Sequence, residues 1–232
     1  MTAKQATPAV AAQPVTIVVG DANSVSGLLQ VPPKARACYV MAHGAGAGMT
    51  HPFMANFATD LAERGIATLR YQFPYMERGS KRPDPPKLAQ ATVRAAVAQA
   101  SRMVPDLALV AGGKSFGGRM TSQAQAAAPL AGVRGLVFVG FPLHAPGKPG
   151  DERGTHLCDV HIPMLFLQGT RDEFAELSLL KALVTKLGER ATLSLFDDAD
   201  HSFHVPARSG KKDAQIRAEM GDSLVAWATK LV

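Results

Sequence analysis

The chain has 232 residues, of which 47% are hydrophobic and 19% charged, and its formal net charge is +6. This composition supplies a buried core and excludes general disorder, and no apolar run reaches the roughly 18 residues that a membrane-spanning helix needs. The basic residues are scattered, without a dense tract or a base-stacking aromatic motif. The charge therefore predicts a solvated surface and no nucleic-acid partner.

The N-terminal segment, residues 1–14, is rich in Ala, Pro and Thr and lacks the continuous apolar region of a secretory signal. We interpret it as a flexible tail, followed by a single domain over residues 15–232. The two cysteines, Cys38 and Cys158, are too few for a disulfide framework. We therefore expect a cytoplasmic location.

Strand-like apolar segments alternate with helix-like segments along the chain, a pattern typical of a parallel sheet with helices on both faces. Strands are predicted at about 15–20, 26–31, 36–42, 66–71, 106–111, 134–140, 163–168 and 191–196. Helices are predicted at about 52–64, 87–103, 116–127, 174–187 and 211–230. The predicted architecture is an α/β domain with a mostly parallel, eight-stranded sheet.

The segment LVAGGKSFGGRM, residues 109–120, fits two motifs. Its Gly113-Lys114-Ser115 matches the end of a phosphate-binding P-loop, but that motif requires a glycine five positions earlier, where this chain has Ala108. Ala108 also lies inside the apolar run DLALVAG, which predicts a buried strand, so no loop is available to surround a phosphate. A strand, small residues on both sides of Ser115 and a following helix predict a nucleophile elbow, the sharp turn that exposes a catalytic serine.

A serine, a carboxylate and a histidine follow three different predicted strands, as Ser115, Asp172 and His201. The carboxyl ends of parallel strands meet at one edge of a sheet, so these side chains are expected to converge. A serine hydroxyl becomes a good nucleophile when a histidine takes its proton and an acid orients that histidine. His201 is preferred to His204 because it follows the acidic turn directly and comes sooner after the last strand.

The choice of acid leaves alternatives open. Asp172 is preferred because it ends a different strand from the one that precedes the histidine. Asp197, Asp198 and Asp200 adjoin His201 in the sequence, and such neighbours rarely reach the Nδ1–H group with suitable geometry. We interpret them as turn or cap residues and keep Glu173 as an alternative acid.

Two backbone N–H groups are expected to stabilise the oxyanion that forms during acyl transfer. One belongs to Phe116, the residue after the serine. The other is expected in the small-residue segment HGAGAG after the third strand, at Ala45, with Gly46 as the alternative.

Substrate contacts are expected from two segments that follow strand ends, YQFPYM and FPLHAPGKPG. About twenty residues separate the sixth and seventh strands, too few for a lid domain. We therefore predict a shallow pocket that accepts short, soluble acyl esters or thioesters, with basic residues near its rim that favour an anionic leaving group. The pocket candidates are Phe73, Tyr75, Met76, Leu143 and His144, and the basic residues are Arg78, Lys81 and Arg82.

Six motifs together resemble the α/β-hydrolase fold: HGAGAGMTHPFM, RYQFPYMERG, GGKSFGGRM, FPLHAPGKPG, QGTRDEF and DADHSF. More narrowly, the chain resembles small bacterial hydrolases related to testis-expressed protein 30 and to the third regulatory subunit of the non-specific lethal complex. The resemblance runs from about residue 25 to the C-terminus. It implies the roles given to Ser115, Asp172 and His201, and it implies no known substrate.

The expected function is therefore a serine hydrolase that forms an acyl-enzyme. Some eukaryotic relatives resemble scaffold subunits, so a catalytically silent binding module is the alternative. No metal or other cofactor is expected, because the same histidine can activate the water that releases the acyl group. The expected partner is a small-molecule substrate, with no nucleic acid and no membrane, and the oligomeric state stays open.

Overall fold

A computed structural model describes residues 10–20 and 23–231. Its strands are β1 (Gln13–Val19), β2 (Asn23–Gln30), β3 (Ala37–Ala42), β4 (Ile66–Tyr71), β5 (Ala108–Lys114), β6 (Val133–Val139), β7 (Met164–Gly169) and β8 (Ala191–Phe196). Its α-helices are α1 (Pro52–Ala62), α2 (Pro74–Glu77), α3 (Pro86–Met103), α4 (Phe116–Ala127), α5 (Leu177–Leu187) and α6 (Asp213–Ala228). Residues 1–9 of the predicted tail lie outside the described residues, whereas Gln13 and Pro14 belong to β1.

The strands form one eight-stranded sheet in the order β1-β2-β4-β3-β5-β6-β7-β8. β1 and β2 pair in antiparallel fashion, as do β2 and β4, and the other neighbours are parallel. The predicted mostly parallel eight-stranded sheet is confirmed. β3 and β5 lie at its centre, so the loops that follow them meet above the middle of the sheet.

The central strands are buried on both faces because each alternates apolar side chains between two helical layers. In β3, Cys38 and Val40 pack into the core that α3, α4 and α5 share, while Tyr39 and Met41 pack into the core formed with α1 and α6. This double cover explains why the strands read as continuous apolar runs in the sequence.

Two connections differ from the sequence prediction. The short helix α2 was not predicted, and its Pro74 occupies the first helical turn, where a missing N–H is tolerated. Between β6 and β7, the expected loop is partly a 3₁₀ helix, Glu152–Asp159, which buries Leu157 in the core. That connection is nevertheless too short for a lid domain, as expected.

None of the helices in the described ranges combines the length and the apolar character needed to cross a bilayer.

Candidate active site

Ser115 occupies a sharp turn between β5 and α4, with φ 49° and ψ −114°. Positive φ is rare for a residue with a side chain and is found where surrounding contacts hold a strained turn. Those contacts require glycine on both sides. A methyl group on Gly113 would lie 2.2 Å from the carbonyl oxygen of Ala42, and one on Gly117 would lie 2.6 Å from that of His43. The end of β3 therefore passes directly against the turn.

The side chains of Ser115, His201 and Asp172 form a hydrogen-bonded chain. Nε2 of His201 lies 2.9 Å from Oγ of Ser115, and Nδ1 of His201 lies 2.7 Å from Oδ2 of Asp172. A carboxylate accepts but does not donate, so the imidazole carries its proton on Nδ1 and presents a free Nε2 to the serine hydroxyl. Burial lowers the pKa of His201, and the hydrogen bond to Asp172 opposes that effect.

Asp172 is held by three donors. Besides His201, Nε2 of Gln168 donates to Oδ2 at 2.6 Å, and the backbone N–H of Phe174 donates to Oδ1 at 2.8 Å. Oε1 of Gln168 in turn accepts a hydrogen bond from the backbone N–H of Phe141 at 2.8 Å. The side chain of Asp172 is fully buried, so these bonds replace its water and fix its orientation.

Glycine also brings the two loops that carry Asp172 and His201 together. A methyl group on Gly169, at the end of β7, would lie 2.2 Å from the carbonyl oxygen of Ala199. The backbone N–H of Arg171 donates to that same oxygen at 2.9 Å. The close approach sets the position of Asp172 relative to the His201 loop.

The alternative residues lie elsewhere. His204 is exposed, and its Nδ1 contacts Oδ2 of Asp213 at 2.9 Å. Asp200 caps the turn that carries His201, because its Oδ1 accepts from the backbone N–H groups of Ser202 and His204. In the described ranges, no hydrogen bond joins the His201 ring to the other three acidic candidates, which are Asp197, Asp198 and Glu173.

Two candidate oxyanion donors have no protein acceptor in the described ranges. Within residues 10–20 and 23–231, no group accepts a hydrogen bond from the N–H of Ala45 or of Phe116. The N–H of Gly46, the alternative, donates to the hydroxyl of Tyr75 at 3.2 Å. The geometry therefore favours Ala45 over Gly46 as the second donor.

The buried His43 holds the loop that contains Ala45. Its Nδ1–H donates to the carbonyl oxygen of Gly44 at 2.7 Å, and its Nε2 accepts from the N–H of Phe73 at 3.0 Å. Burial lowers the pKa of His43 to about 4, so the ring is neutral near pH 7 and suits one donor and one acceptor contact. His43 thus connects this loop to the segment after β4.

A cavity of about 300 Å³ opens beside Ser115, between the loop after β3, the start of α1 and the His201 loop. Its walls are mainly apolar. They consist of Gly44, Ala45, Ala47, His51, Phe53, Met54, Lys114, Ser115, Phe174, His201 and Ser202.

The five predicted substrate-binding residues do not line this cavity, which corrects the expectation for Phe73, Tyr75, Met76, Leu143 and His144. Phe73, Tyr75 and Leu143 are buried in the core, and Met76 packs against it. The two strands end close to where the sequence predicted, but these side chains are buried or packed against the core. The hydroxyl of Tyr75 accepts a hydrogen bond from the N–H of Gly46, in the loop that contains Ala45.

Leu143 and His144 support the opposite wall. Their backbone N–H groups donate to the carbonyl oxygen of Phe174 at 2.8 and 3.0 Å. The ring of Phe174 packs on that of His201, with 4.3 Å between the centroids. The predicted basic rim also lies apart from this cavity, and Arg78 is paired with the buried carboxylate of Asp84 at 2.7 Å.

A second serine–histidine contact lies further along α4. Oγ of Ser122 donates to the carbonyl oxygen of Arg119 at 2.9 Å and lies 2.7 Å from Nε2 of His156. Because the hydroxyl proton is already used, the histidine is the donor in this pair. Burial and the nearby Arg119 lower the pKa of His156 to about 4. This pair therefore lacks a free base directed at its serine.

A family model described as "Alpha/beta hydrolase domain" matches residues 35–229. The chain belongs to the alpha/beta hydrolase domain family.

Solved structures of similar fold cover nearly all of this α/β hydrolase. A dienelactone hydrolase from Anabaena variabilis has a TM-score of 0.76 at 19% identity, and the match covers 97% of this chain and 99% of that one. An α/β serine hydrolase without a lid from Xanthomonas campestris has a TM-score of 0.72 at 21% identity, covering 94% and 95%. An esterase domain from Rhodothermus marinus has a TM-score of 0.72 at 16% identity, covering 94% and 98%. At these identities the likeness shows the fold.

Sequence reasoning missed several residues of the α/β-hydrolase site. Phe53, Met54 and Phe174 contribute to the apolar walls. The hydrophobic pattern of the sequence does not mark them as pocket residues, because Phe53 and Met54 lie in the first turn of α1 and Phe174 precedes α5. Gln168 carries a usable signal, since it is a polar residue at the end of an apolar strand.

No group of three or more His, Cys, Asp and Glu side chains is arranged to hold a metal ion within the described ranges. The expectation of a cofactor-free site stays a prediction.

Proposed function

We propose that this α/β hydrolase is a serine hydrolase that cleaves small esters or thioesters through an acyl-enzyme. Ser115 is the nucleophile, His201 the general base and acid, and Asp172 the residue that orients the imidazole. The observation that carries the proposal is the continuous hydrogen-bonded chain from Asp172 through His201 to a serine held at positive φ.

In the acylation step, Oγ of Ser115 attacks the substrate carbonyl carbon while its proton passes to Nε2 of His201. The carbonyl electron pair moves onto oxygen, and the N–H groups of Ala45 and Phe116 donate to that oxyanion. The electron pair then returns, and the bond to the leaving oxygen or sulfur breaks. The imidazolium of His201 gives its proton to the leaving group.

Deacylation repeats these transfers with water. A water molecule gives a proton to Nε2 of His201 and attacks the acyl carbon, and the ester bond to Ser115 breaks as the proton returns to Oγ. The carboxylic acid leaves, and the serine is restored. Asp172 stays ionised throughout and stabilises the transient imidazolium.

A fluorophosphonate probe distinguishes this function from a silent scaffold, since a scaffold needs no activated serine. We expect stoichiometric labelling, mapped by mass spectrometry to Ser115, together with hydrolysis of p-nitrophenyl acetate. Ser115→Ala should lose both signals, while Ser122→Ala, on the same helix, should keep them. An unlabelled wild-type protein without esterase turnover would support the scaffold alternative.

The cavity supports a preference for short acyl groups. Its apolar walls and limited volume suit a small acyl chain, and residues 10–20 and 23–231 form no lid domain that could shield a long one. A polar cavity of about 330 Å³ shares Phe174, His201 and Ser202 with it and adds Arg171, Glu173 and Asp200. We propose that the acyl group occupies the apolar cavity and that a polar leaving group faces the polar one.

An acyl-chain series tests this assignment. The rate should fall from p-nitrophenyl butyrate to octanoate and laurate, without a jump at the micelle threshold. Phe53→Ala should raise the octanoate-to-butyrate ratio of kcat/KM because it removes part of the cavity wall. Phe174, whose ring contacts His201, makes a poor variant for this purpose. Rates that climb through laurate would contradict the small-pocket assignment.

The narrower relationship to hydrolases near testis-expressed protein 30 and the third subunit of the non-specific lethal complex is part of this proposal. So are the cytoplasmic location and a small molecule as the only partner required for turnover. The motifs around Ser115, Asp172 and His201 support the relationship. Esterase and thioesterase substrates should be assayed in parallel, since the mechanism serves both leaving atoms.

A further inference from the structure

Lys114 ends β5 directly before Ser115, and its half-buried side chain extends toward the loop that carries His201. Its ammonium group donates a hydrogen bond to the main-chain carbonyl oxygen of His201. Nζ also lies 5.4 Å from the ring centroid of Phe203, within the range of a cation–π contact. These two contacts fasten the end of β5 to the His201 loop.

The ammonium group shares a small space with the imidazole and the carboxylate. A methyl group on Gly140 would lie 3.0 Å from Nζ of Lys114, 3.5 Å from Oδ2 of Asp172 and 3.5 Å from Cε1 of His201. The three groups therefore surround the position that Gly140 leaves open. A cation faces the imidazole from β5, and an anion faces it from the loop after β7.

We propose that Lys114 is a positioning residue for the hydrolysis assigned to Ser115, an inference that rests on the proposed function. The nucleophile is covalently adjacent to Lys114, and the base is hydrogen-bonded to it through its own main chain. One short link thus sets the distance between Oγ and Nε2. The same ammonium group places a positive charge beside the imidazole.

Several groups affect the pKa of His201. Burial is the main reason that its pKa is lowered, and the charge of Lys114 lowers it further, while Asp172 and Asp200 oppose both. Burial also lowers the pKa of Lys114 to about 8, against the same two carboxylates. The groups that face the imidazole are Lys114 from β5, Asp172 from the loop after β7, Asp200 from its own loop, and His51, Arg171 and Glu173 around the two cavities.

These charges give a direction for the pH dependence. A cation beside the imidazole disfavours the imidazolium, so Lys114 keeps His201 neutral, and active as a base, to lower pH. Removal of the cation should raise the pKa of His201 and move the acid limb of kcat/KM to higher pH. Replacement by arginine keeps the cation and a main-chain donor.

The test compares Lys114→Met, Lys114→Arg and the exposed control Lys181→Met. For Lys114→Met we expect kcat to fall about tenfold or more, because small misplacement of a base is costly, with KM little changed. The acid limb should move up by roughly 0.5 to 1 pH unit. Lys114→Arg should restore the limb and part of kcat, and Lys181→Met should match the wild type.

Titration of the His201 ring by NMR gives the same pKa comparison without turnover, so it separates this inference from the proposed function. A higher His201 pKa in Lys114→Met supports the inference even if no ester is hydrolysed. An unchanged ring pKa, together with wild-type kcat, would overturn it. Loss of activity with an unchanged ring pKa and no rescue by arginine would also overturn it, since it would indicate a purely structural lysine.

Discussion

Helix α4 presents two serine–histidine contacts of similar length, and they differ in the direction of the proton. At its start, Ser115 lies 2.9 Å from His201, and the far side of that ring contacts the carboxylate of Asp172. Further along, Ser122 lies 2.7 Å from His156 and gives its own proton to a main-chain carbonyl. The shorter contact is the one without a free base.

The difference teaches that the third partner decides what such a pair can do. A carboxylate on Nδ1 leaves Nε2 as an acceptor, which suits proton removal from Ser115. An arginine near His156 and a carbonyl acceptor near Ser122 instead give a closed, neutral pair that ties the 3₁₀ helix before β7 to α4. Distance alone would rank the two pairs wrongly.

The largest effect should separate the two serines. Ser115→Ala should lower esterase kcat by roughly 10⁴ to 10⁶-fold, because the proposed nucleophile is lost. Ser122→Ala should retain turnover, since its hydroxyl proton serves structure. Steady-state kinetics with p-nitrophenyl acetate measure both. Comparable losses in the two variants would break the comparison.

The next effect concerns His201 and His204, the two histidines whose Nδ1 contacts an aspartate. Asp172→Asn should lower kcat by about 10⁴-fold, since the amide no longer fixes the tautomer that leaves Nε2 free. Asp213→Asn, which alters the exposed partner of His204, should leave kcat near the wild-type value. The same assay compares them, and a greater loss in Asp213→Asn would transfer the role of base to His204.

A smaller effect is expected on stability. Ser122→Ala should lower the free energy of unfolding by about 1–3 kcal/mol, because the half-buried His156 loses its acceptor. Ser178→Ala removes an exposed serine and should change it by less than about 0.5 kcal/mol. Urea unfolding at pH 7 measures both values. Equal values for the two variants would show that the Ser122 contact is not structural.

The last effect concerns the pH dependence of stability. The pKa of His156 is lowered from 6.5 to about 4 in the folded chain, so the unfolded chain binds more protons between those values. The contribution is present above pH 6.5 and is lost as the pH falls toward about 4. Urea unfolding across this range should show a shallower loss in His156→Gln than in the wild type.

His43 titrates in the same window in both proteins, so its contribution cancels in that comparison. Parallel stability curves for the wild type and His156→Gln would contradict the neutral state assigned to His156.

The architecture and the convergence of Ser115, Asp172 and His201 were accessible from the sequence. Apolar runs that alternate with helices specify a parallel sheet, and a parallel sheet brings its strand ends together whatever the loops contain. The glycines around Ser115 were also informative, because the main chain at the end of β3 lies so close to Gly113 and Gly117 that no side chain fits there.

The pocket walls were not accessible in this way. Phe73 and Tyr75 follow a strand end, as predicted, yet side-chain direction in a loop depends on contacts that the local sequence does not encode. Their hydrogen-bond partners, the buried His43 and the exposed Gly46, lie in another loop. The role of Lys114 could not be predicted from the sequence, because its acceptor is a main-chain carbonyl oxygen 87 residues away. Every residue has such an oxygen, so the sequence does not mark this one.

The hydrogen bond between Ser115 and His201 joins residues 86 positions apart, and the one between His201 and Asp172 spans 29. Contacts of such separation require the loops after β5, β7 and β8 to be docked, and long-range contacts form slowly during folding. We therefore expect Ser115 to become reactive late in folding. The fraction of Ser115 labelled by a fluorophosphonate during refolding should therefore report the fraction of fully folded molecules. This fraction should lag behind the recovery of secondary structure seen by circular dichroism.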